Sequence, residues 1–254
     1  MSKRNTQQRR HTIVQLVNEL GEITVDELSL RFETSVVTIR KDLAELEKSG
    51  LLLRRYGGAV PLPQEVILDA EKTISAAKKA IGEKAAECIR EHNRIIIDSG
   101  RTTAALLPHL SQKAGLVVMT NALEVANQLR ELEPEPTILM TGGTWDPNSE
   151  SFQGQVAEQV LRSYDFDQLF IGADGIDLKR GTTTFNELIG LSRVMAEQAR
   201  EVIVMLESDK IGRRIPNLEL TWQQITTLVT DNGITPEAVA QIKNMGVQVL
   251  IAQS

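Results

Sequence analysis

Residues 35–60 read SVVTIRKDLAELEKSGLLLRRYGGAV, and this stretch decides the fold of the first part of the chain. Its first half predicts an amphipathic helix, because its apolar residues recur at helical spacing: Val36, Ile39, Leu43 and Leu46. Ser35 is a suitable N-cap for this helix, and Gly50 is a suitable C′ residue. The second half predicts two short strands that turn at Gly57-Gly58. We therefore expect a helix followed by a hairpin wing.

Two shorter helices are predicted upstream of this stretch. The first has apolar residues at helical spacing and ends at Gly21: Ile13, Leu16, Val17 and Leu20. The second begins with the capping-box pattern of Thr24 and Glu27, and its apolar face is Val25, Leu28 and Phe32. Helix, helix, tight turn, helix and wing is the order of a winged helix-turn-helix. Residues 1–60 are therefore predicted to bind duplex DNA.

The outer face of the third helix carries the candidate base contacts. Arg40 or Lys41 would reach guanine acceptors, and Val37 would meet a thymine methyl group. Arg54 and Arg55 on the wing would contact phosphate. The alternative is a solvated charged face without a ligand. The full set of candidate DNA-binding residues is Ser35, Val37, Thr38, Arg40, Lys41, Arg54 and Arg55.

Composition and charge narrow the class of protein. The chain has 254 residues and a net charge of −6, yet residues 1–60 hold ten basic and eight acidic residues, a net charge of +2. A single cysteine, Cys88, excludes a disulfide framework, and three scattered histidines offer no metal cluster. No apolar run approaches the length of a membrane span. We expect a cytoplasmic protein with no metal, no cofactor and no membrane contact.

The rest of the chain predicts a second domain of the α/β class. Pro61 and Pro63 mark a linker over residues 61–74, and a helix follows over 74–91 with Cys88 on its apolar stripe. Amphipathic helices at 122–132, 187–200 and 236–244 then alternate with short apolar runs, which are IIID, LVVMT, TILM, QLFIG, VIVML and TLVT. Such alternation predicts a mainly parallel sheet covered by helices. Residues 75–254 would form this domain.

Polar, glycine-rich loops follow several of these runs, where ligands of α/β folds bind. The loop DSGRTT (98–103) has the features of an anion cradle, since Gly100 permits close backbone approach and a helix N-terminus follows. An ordinary strand-to-helix turn is the alternative. The carboxylates and amides in the other loops would form hydrogen bonds with a ligand, or would simply form turns.

These motifs together resemble the DeoR family of bacterial sugar regulators. The resemblance rests on Arg9, Ile13, Val17, the run SVVTIRKDL (35–43) and the wing RRYGGAV (54–60). It continues through DSGRTT, TN (120–121), TGG (141–143), GADGID (172–177) and TTFNE (183–187). The family implies a transcriptional regulator, most often a repressor of a sugar-catabolic operon. Its effector domain is similar to ribose-5-phosphate isomerase and binds a phosphorylated sugar or polyol.

The resemblance completes the set of candidate effector residues. Lys210 resembles the lysine of the family's D-x-S-K pattern, although Glu207 and Asp209 stand where the Asp and Ser usually are. The candidates are Asp98, Ser99, Gly100, Arg101, Thr102, Thr103, Asn121, Gly142, Gly143, Asp174, Gly175, Asn186, Glu187 and Lys210.

Two further departures from the family pattern concern charge. Arg101 stands where the family usually has Thr or Ser, and Asp146 stands where a basic residue is common. Arg101 therefore either supplies a charged contact to the effector phosphate or faces solvent or Asp146, leaving the phosphate to backbone, hydroxyls and Lys210.

Two other functions compete with a regulator. A sugar-phosphate isomerase-like enzyme with an attached DNA-binding domain would use the same carboxylates and Lys210 for acid–base chemistry. A structural nucleoid protein would leave the polar loops without a role. We expect a regulator with no catalytic residues that binds a duplex DNA operator as a homo-oligomer, because bacterial operators usually pair half-sites.

Overall fold

The computed structural model describes residues 9–10, 12–14, 16–17, 20–48, 52–55, 57–61, 74–147, 149–184, 189–213, 215 and 217–253. The chain divides into two compact units, Met1–Thr73 and Ile74–Ser254. Within the described ranges, no helix combines the length and the apolar character needed to cross a bilayer.

The first unit is a winged helix-turn-helix. Its described residues between positions 9 and 20 are helical, and its further elements are β1 (Ile23–Thr24), α1 (Val25–Arg31), α2 (Val36–Lys48), β2 (Leu53–Arg55) and β3 (Gly58–Val60). The three strands form an antiparallel sheet in the order β1-β3-β2. This order of helices and strands confirms the architecture expected from the sequence.

Local signals in the sequence fix the helix starts of this unit. The Thr24 side chain accepts a hydrogen bond from the Glu27 amide, while the Glu27 carboxylate accepts one from the Thr24 amide. At the start of α2, the Thr38 amide donates to the Ser35 hydroxyl at 3.2 Å. The buried core then joins all three helices and the wing, and it includes Ile13, Val17, Leu28, Ile39, Leu43 and Leu52.

The second unit is built on a seven-stranded parallel sheet. Its strands are β4 (Arg94–Ile97), β5 (Val117–Thr120), β6 (Thr137–Met140), β9 (Phe166–Ile171), β12 (Ala199–Met205), β14 (Thr227–Asp231) and β15 (Gln248–Ala252). They are arranged in the order β15-β14-β12-β9-β4-β5-β6. The expected mainly parallel α/β sheet is confirmed.

Helices cover both faces of this sheet. They are α3 (Ala76–Ala86), α4 (Arg101–Ala104), α5 (Leu123–Arg130), α6 (Gln155–Leu161), α7 (Gly190–Glu197) and α8 (Pro236–Asn244). One buried cluster holds apolar side chains of α6, α7 and α8, and another holds those of α3, α4 and α5. The central strands are thus buried on both sides, which explains their continuous apolar sequence, whereas the edge strands β6 and β15 are partly exposed.

Two small antiparallel sheets complete the unit. The hairpin of β7 (Thr144–Asp146) and β8 (Ser151–Gln153) forms one of them. The other contains β10 (Gly175–Asp177), β11 (Gly181–Thr184) and β13 (Asn217–Thr221), in that order.

The helix predicted over 74–91 is shorter than expected. It ends at Ala86, where the chain tightens into turns in which the amides of Cys88 and Ile89 donate to the carbonyls of Ala85 and Ala86. Cys88 therefore lies after the helix and is only half-buried, so its assignment to the helical stripe is wrong. The helix predicted at 187–200 is described over Gly190–Glu197, and β12 begins at Ala199.

Candidate functional site

The strand order reverses direction between β4 and β9, and this switch point positions the candidate site. From β4 the chain moves outward to β5 and β6, whereas from β9 it moves to the other edge through β12, β14 and β15. Such a switch opens a crevice beyond the carboxyl ends of the two central strands. Asp98 follows β4 and residues 172–174 follow β9, and the Asp98 amide donates to the carbonyl of Phe170.

Asp98, Ser99 and Asn121 form one hydrogen-bonded network in this crevice. The buried Asn121 amide donates to the Asp98 carboxylate at 2.9 Å, and its carbonyl oxygen accepts from the Ser99 amide at 3.1 Å. The structure thus joins two of the predicted loops, DSGRTT and TN. Asn121 follows β5, the neighbour of β4, so this contact is a direct result of the sheet order.

The rest of the DSGRTT loop is bonded mainly to itself. The Thr103 hydroxyl donates to the carbonyls of Asp98 and Gly100, and Thr102 is buried. Gly100 has φ +132°, and the nearest atom to a Cβ built there is the Thr103 hydroxyl oxygen at 3.5 Å. Space therefore remains above Gly100, as an approaching ligand requires. Arg101, the first residue of the four-residue α4, is partly exposed.

The loop after β9 places its two aspartates differently. Asp174 accepts a hydrogen bond from the Thr184 hydroxyl at 2.7 Å, which links β11 to the crevice. Asp177 instead accepts from the Lys179 amide and pairs with Arg180, so it forms the turn between β10 and β11. Asn186 and Glu187 lie outside the described residues.

Glu219 on β13 is a buried acid that the sequence reading missed. Its carboxyl accepts hydrogen bonds from Thr182 on β11 and from Ser192 on α7. Asp98 and Asp174 are near enough to disfavour a negative charge on Glu219. Three acids from distant parts of the sequence thus share one region.

Burial controls the charge of these acids. Burial raises the pKa of Glu219 to about 8, and repulsion by Asp98 and Asp174 adds to the rise against the hydrogen bonds of Ser192 and Thr182. Burial also raises the pKa of Asp98 to about 6, although the hydrogen bonds of Ser99 and Asn121 oppose it. Near neutral pH, Glu219 is therefore mostly protonated and Asp98 mostly ionised.

The glycines of the TGG loop lie at the mouth of the β7–β8 hairpin. The amide of Phe152 on β8 donates to the Asn121 carbonyl, so the hairpin adjoins the crevice network. Gly143 packs against β8, where a Cβ would meet the Gln153 carbonyl oxygen at 2.6 Å. Gly142 has open space around it. Asp146 accepts hydrogen bonds from the amide and hydroxyl of Ser149.

The Lys210 loop, defined here as residues 207–213, is fixed at three points. The Ser208 amide and hydroxyl donate to Asp231 at the end of β14. The Gly212 amide donates to the Ile176 carbonyl of β10. Glu207 accepts a hydrogen bond of 2.7 Å from the Ser75 hydroxyl and pairs with Lys78. The loop therefore connects the start of α3 to β10.

The first unit presents a separate, basic surface. Val37 is 64% exposed, and Arg40 and Lys41 are exposed on the same part of α2. The Ser35 and Thr38 hydroxyls are 2.9 Å apart and cap the helix. The wing arginines are both paired: Arg54 Nε with Glu47 at 2.7 Å and Arg55 Nη1 with Glu22 at 3.4 Å.

The crevice as a whole has the chemistry of a polar small-molecule site. It brings the Asp98 carboxylate, the Asn121 amide that holds it and the Glu219 carboxyl into one region, and carboxyl groups of this kind suit a ligand with several hydroxyl groups. In the described part of the chain, no group of three or more His, Cys, Asp or Glu side chains has the arrangement of a metal site.

Comparison with known proteins finds relatives over nearly the whole chain. The "Putative aga operon transcriptional repressor" of Escherichia coli O157:H7 is 38% identical over 253 residues, covering 97% of this chain and 94% of that protein. The "HTH-type transcriptional regulator GolR" of Listeria innocua is 30% identical, covering 97% and 98% of the two chains. GlpR of Haloferax volcanii, also an HTH-type transcriptional regulator, is 30% identical over 96% of each.

Solved structures with a related arrangement are more distant. Ribose 5-phosphate isomerase A from Neisseria gonorrhoeae is 15% identical with a TM-score of 0.40, and the alignment covers 54% of this chain and 53% of that one. The delta subunit of eIF2B from Chaetomium thermophilum is 17% identical with a TM-score of 0.45, over 65% and 59% of the chains.

Two family models divide the chain between them. Residues 9–65 match the DeoR-like helix-turn-helix domain, and residues 74–232 match the DeoR C-terminal sensor domain. The chain belongs to the DeoR family of DNA-binding transcriptional regulators.

Proposed function

We propose that this chain is a repressor of a sugar or sugar-alcohol catabolic operon and that a phosphorylated sugar or polyol releases it from duplex DNA. Residues 1–60 are the DNA-binding domain, residues 61–74 the linker and residues 75–254 the effector domain. The Asp98–Ser99–Asn121 network at the switch point is the observation that carries the effector site.

The polar groups of the crevice support a polyhydroxylated effector. The Asp98 and Asp174 side chains have oxygens that accept hydrogen bonds from hydroxyl groups, whereas protonated Glu219 has a proton to donate. Such mixed donors and acceptors suit the alternating hydrogen-bonding needs of a sugar. The names of the relatives support repression, since the Escherichia coli protein is described as a repressor of the aga operon.

A thermal-shift screen tests the effector half of the proposal. We expect one class of hexose, pentose or polyol phosphate to raise the melting temperature, because a ligand that binds only the folded state stabilises it. The unphosphorylated parent sugars are the matched controls. Insensitivity to every sugar phosphate would contradict the proposal and favour a purely structural protein.

Arg101→Thr tests how the phosphate is held. If Arg101 binds it, we expect roughly ten- to hundredfold weaker binding of the sugar phosphate identified in the screen, because one charged hydrogen bond contributes roughly 1.5–3 kcal/mol. Operator affinity without effector should stay the same. Arg130→Thr, at the exposed end of α5, is the control for loss of charge. Unchanged effector affinity would assign the phosphate to Gly100, Thr102, Thr103 and Lys210.

Arg40→Ala tests the base contacts of α2. We expect operator binding to weaken by roughly 1–3 kcal/mol, since a contact to a base edge contributes that much. Footprinting on the DNA upstream of the operon measures the change, and Lys41→Ala is expected to behave similarly. An unchanged footprint at unchanged affinity for both variants would remove α2 from the interface.

Location and assembly complete the proposal. We propose that the protein is cytoplasmic and has no cofactor. We also propose that it is a homo-oligomer, because a symmetric oligomer binds paired half-sites of an operator with higher affinity. Light scattering at micromolar concentration checks this, and a species of 28.1 kDa would contradict it.

The alternative function is an isomerase-like enzyme with an attached DNA-binding domain. One observation favours it: protonated Glu219 beside ionised Asp98 is an acid–base pair of the kind that proton transfer uses. An isomerisation assay on the full chain decides between the two functions. Measurable turnover of the sugar phosphate found in the screen would establish the enzyme.

A further inference from the structure

Two arginines near the start of the chain bind one buried carboxylate of α2. Arg9 Nε lies 2.6 Å from Asp42 Oδ2, and Arg10 Nε lies 2.8 Å from Asp42 Oδ1. The Asp42 side chain is 3% exposed, Arg9 is 9% exposed and Arg10 is 32% exposed. Asp42 is therefore fully occupied by protein partners, whereas one of its two arginines reaches the surface.

This cluster carries a surplus of positive charge. Two guanidinium groups around one carboxylate leave a net charge of +1, because arginine stays protonated. The other ion pairs described in this unit, Arg54 with Glu47 and Arg55 with Glu22, are each neutral. The surplus belongs to Arg10, since the more buried Arg9 already neutralises Asp42.

The position of Asp42 on α2 gives this charge a direction. Asp42 follows Thr38 by four residues and so lies on the same flank of the helix. Arg40 lies on the opposite flank, about 160° away at 100° per residue. A helix in the major groove has one phosphate backbone beside each flank. Arg10 therefore stands on the flank opposite Arg40.

We propose that Arg10 binds a DNA phosphate on the Thr38 flank of α2 and that Asp42 is the positioning residue that presents it. The bond to Asp42 uses only the Nε atom of Arg10, and the terminal nitrogens carry further donors. Because Asp42 holds the side chain before DNA binds, less rotamer entropy is lost on contact. The proposal extends the DNA interface to the first helix and is independent of any effector.

The salt dependence of DNA binding tests the contact. The full-length chain and its Arg10→Gln variant are titrated with a labelled duplex of about 30 base pairs and mixed sequence, at several salt concentrations. We expect the slope of log K against log salt to become shallower by about 0.9, and affinity at 0.1 M salt to fall about eightfold, as for one lost phosphate contact.

Two control variants separate contact from charge and from folding. Arg130→Gln removes one positive charge from the second unit, at the end of α5, and should leave the slope unchanged. Arg10→Lys keeps the charge and should retain the slope. An Arg10→Gln variant with the parent slope would overturn the proposal.

Asp42→Asn tests the positioning role. The substitution removes one negative charge from the unit, so a purely electrostatic effect would tighten DNA binding. We expect weaker DNA binding instead, because Arg10 loses the ion pair with Asp42 that fixes its side chain. Tighter binding by a variant with the parent's circular dichroism would disprove positioning. If Asp42→Asn does not fold, the Arg10→Gln and Arg10→Lys pair still decides whether the phosphate contact exists.

Discussion

Raising the pH from about 5 to about 9 is expected to destabilise the second unit by about 4 kcal/mol through Glu219 alone. The ordinary pKa of this carboxyl is 4.5, and burial in the folded chain raises it to about 8. The folded state therefore binds the proton more tightly than the unfolded state does. Stability from this group is complete below about pH 4.5 and is lost as the pH rises toward 8.

Glu219→Gln is expected to remove this loss. Glutamine approximates the protonated carboxyl in shape and cannot ionise, so the variant should be as stable as the parent at about pH 5 and more stable by several kcal/mol at about pH 9. Urea unfolding followed by tryptophan fluorescence measures it, because Trp145 and Trp222 both lie in the second unit. Asp98, whose pKa is about 6, still titrates in the variant, so a smaller dependence of the unfolding free energy on pH remains.

The matched control is Glu131→Gln at the exposed end of α5. It removes one exposed carboxyl from the same unit and so controls for the loss of a negative charge. If Glu219→Gln shows the parent's full loss of stability between about pH 5 and 9, Glu219 is not the group that titrates.

Gly181→Ala is expected to destabilise the second unit by roughly 3 kcal/mol or more. A Cβ at Gly181 would collide with the Leu220 carbonyl oxygen, and φ there is +133°. Gly181 is the first residue of β11 and pairs with Thr221 of β13. Glu219 lies on β13, two positions before Thr221. The substitution therefore adds steric overlap to backbone strain at the strand that carries the buried acid.

Gly246→Ala separates these two costs. Gly246 has φ +85°, yet a Cβ there would meet nothing within 4 Å. We expect a loss of about 1 kcal/mol from backbone conformation alone. Urea midpoints of the two variants supply the comparison. Equal losses of stability in the two variants would show that β13 moves away from the added Cβ at no energetic cost and that only the backbone angle matters.

Much of the fold is predictable because its signals are local. The capping box at Thr24, the N-cap at Ser35 and the wing hairpin each act within a few residues, and each is present in the structure, although the turn precedes Gly58, which already pairs with Arg55. The apolar runs predict strands because a strand buried on both faces needs apolar side chains on both. The family resemblance is confirmed over both units.

The site was only partly predictable, because it depends on pairing between distant residues. The loops at 98–103 and 120–121 stand out by composition, and the sheet order brings them together. Glu219 has no motif around it, and its role arises only when β13 pairs with β11. Asp42 lies within the motif at 35–43, yet its arginine partners Arg9 and Arg10 are 33 and 32 positions away, so the contact depends on the fold.

Glu207, which stands where the family usually has an aspartate, contacts the start of helix α3. The helix α3 has no acid in its first turn, and its N-cap Ser75 binds Glu207, which is 132 positions further along the chain. A carboxylate at a helix N-terminus stabilises the first turn. The longer glutamate side chain thus caps a helix from outside it.

The contact between Ser75 and Glu207 joins the Lys210 loop to the residue that follows the proposed linker. A residue in a helix advances the chain by about 1.5 Å, whereas an extended residue spans up to about 3.3 Å. If the loop withdrew Glu207 and one turn of α3 unwound, four residues would add roughly 7 Å to the tether. The hydrogen bond between Ser75 and Glu207 therefore helps to set where the chain passes from the proposed linker into α3.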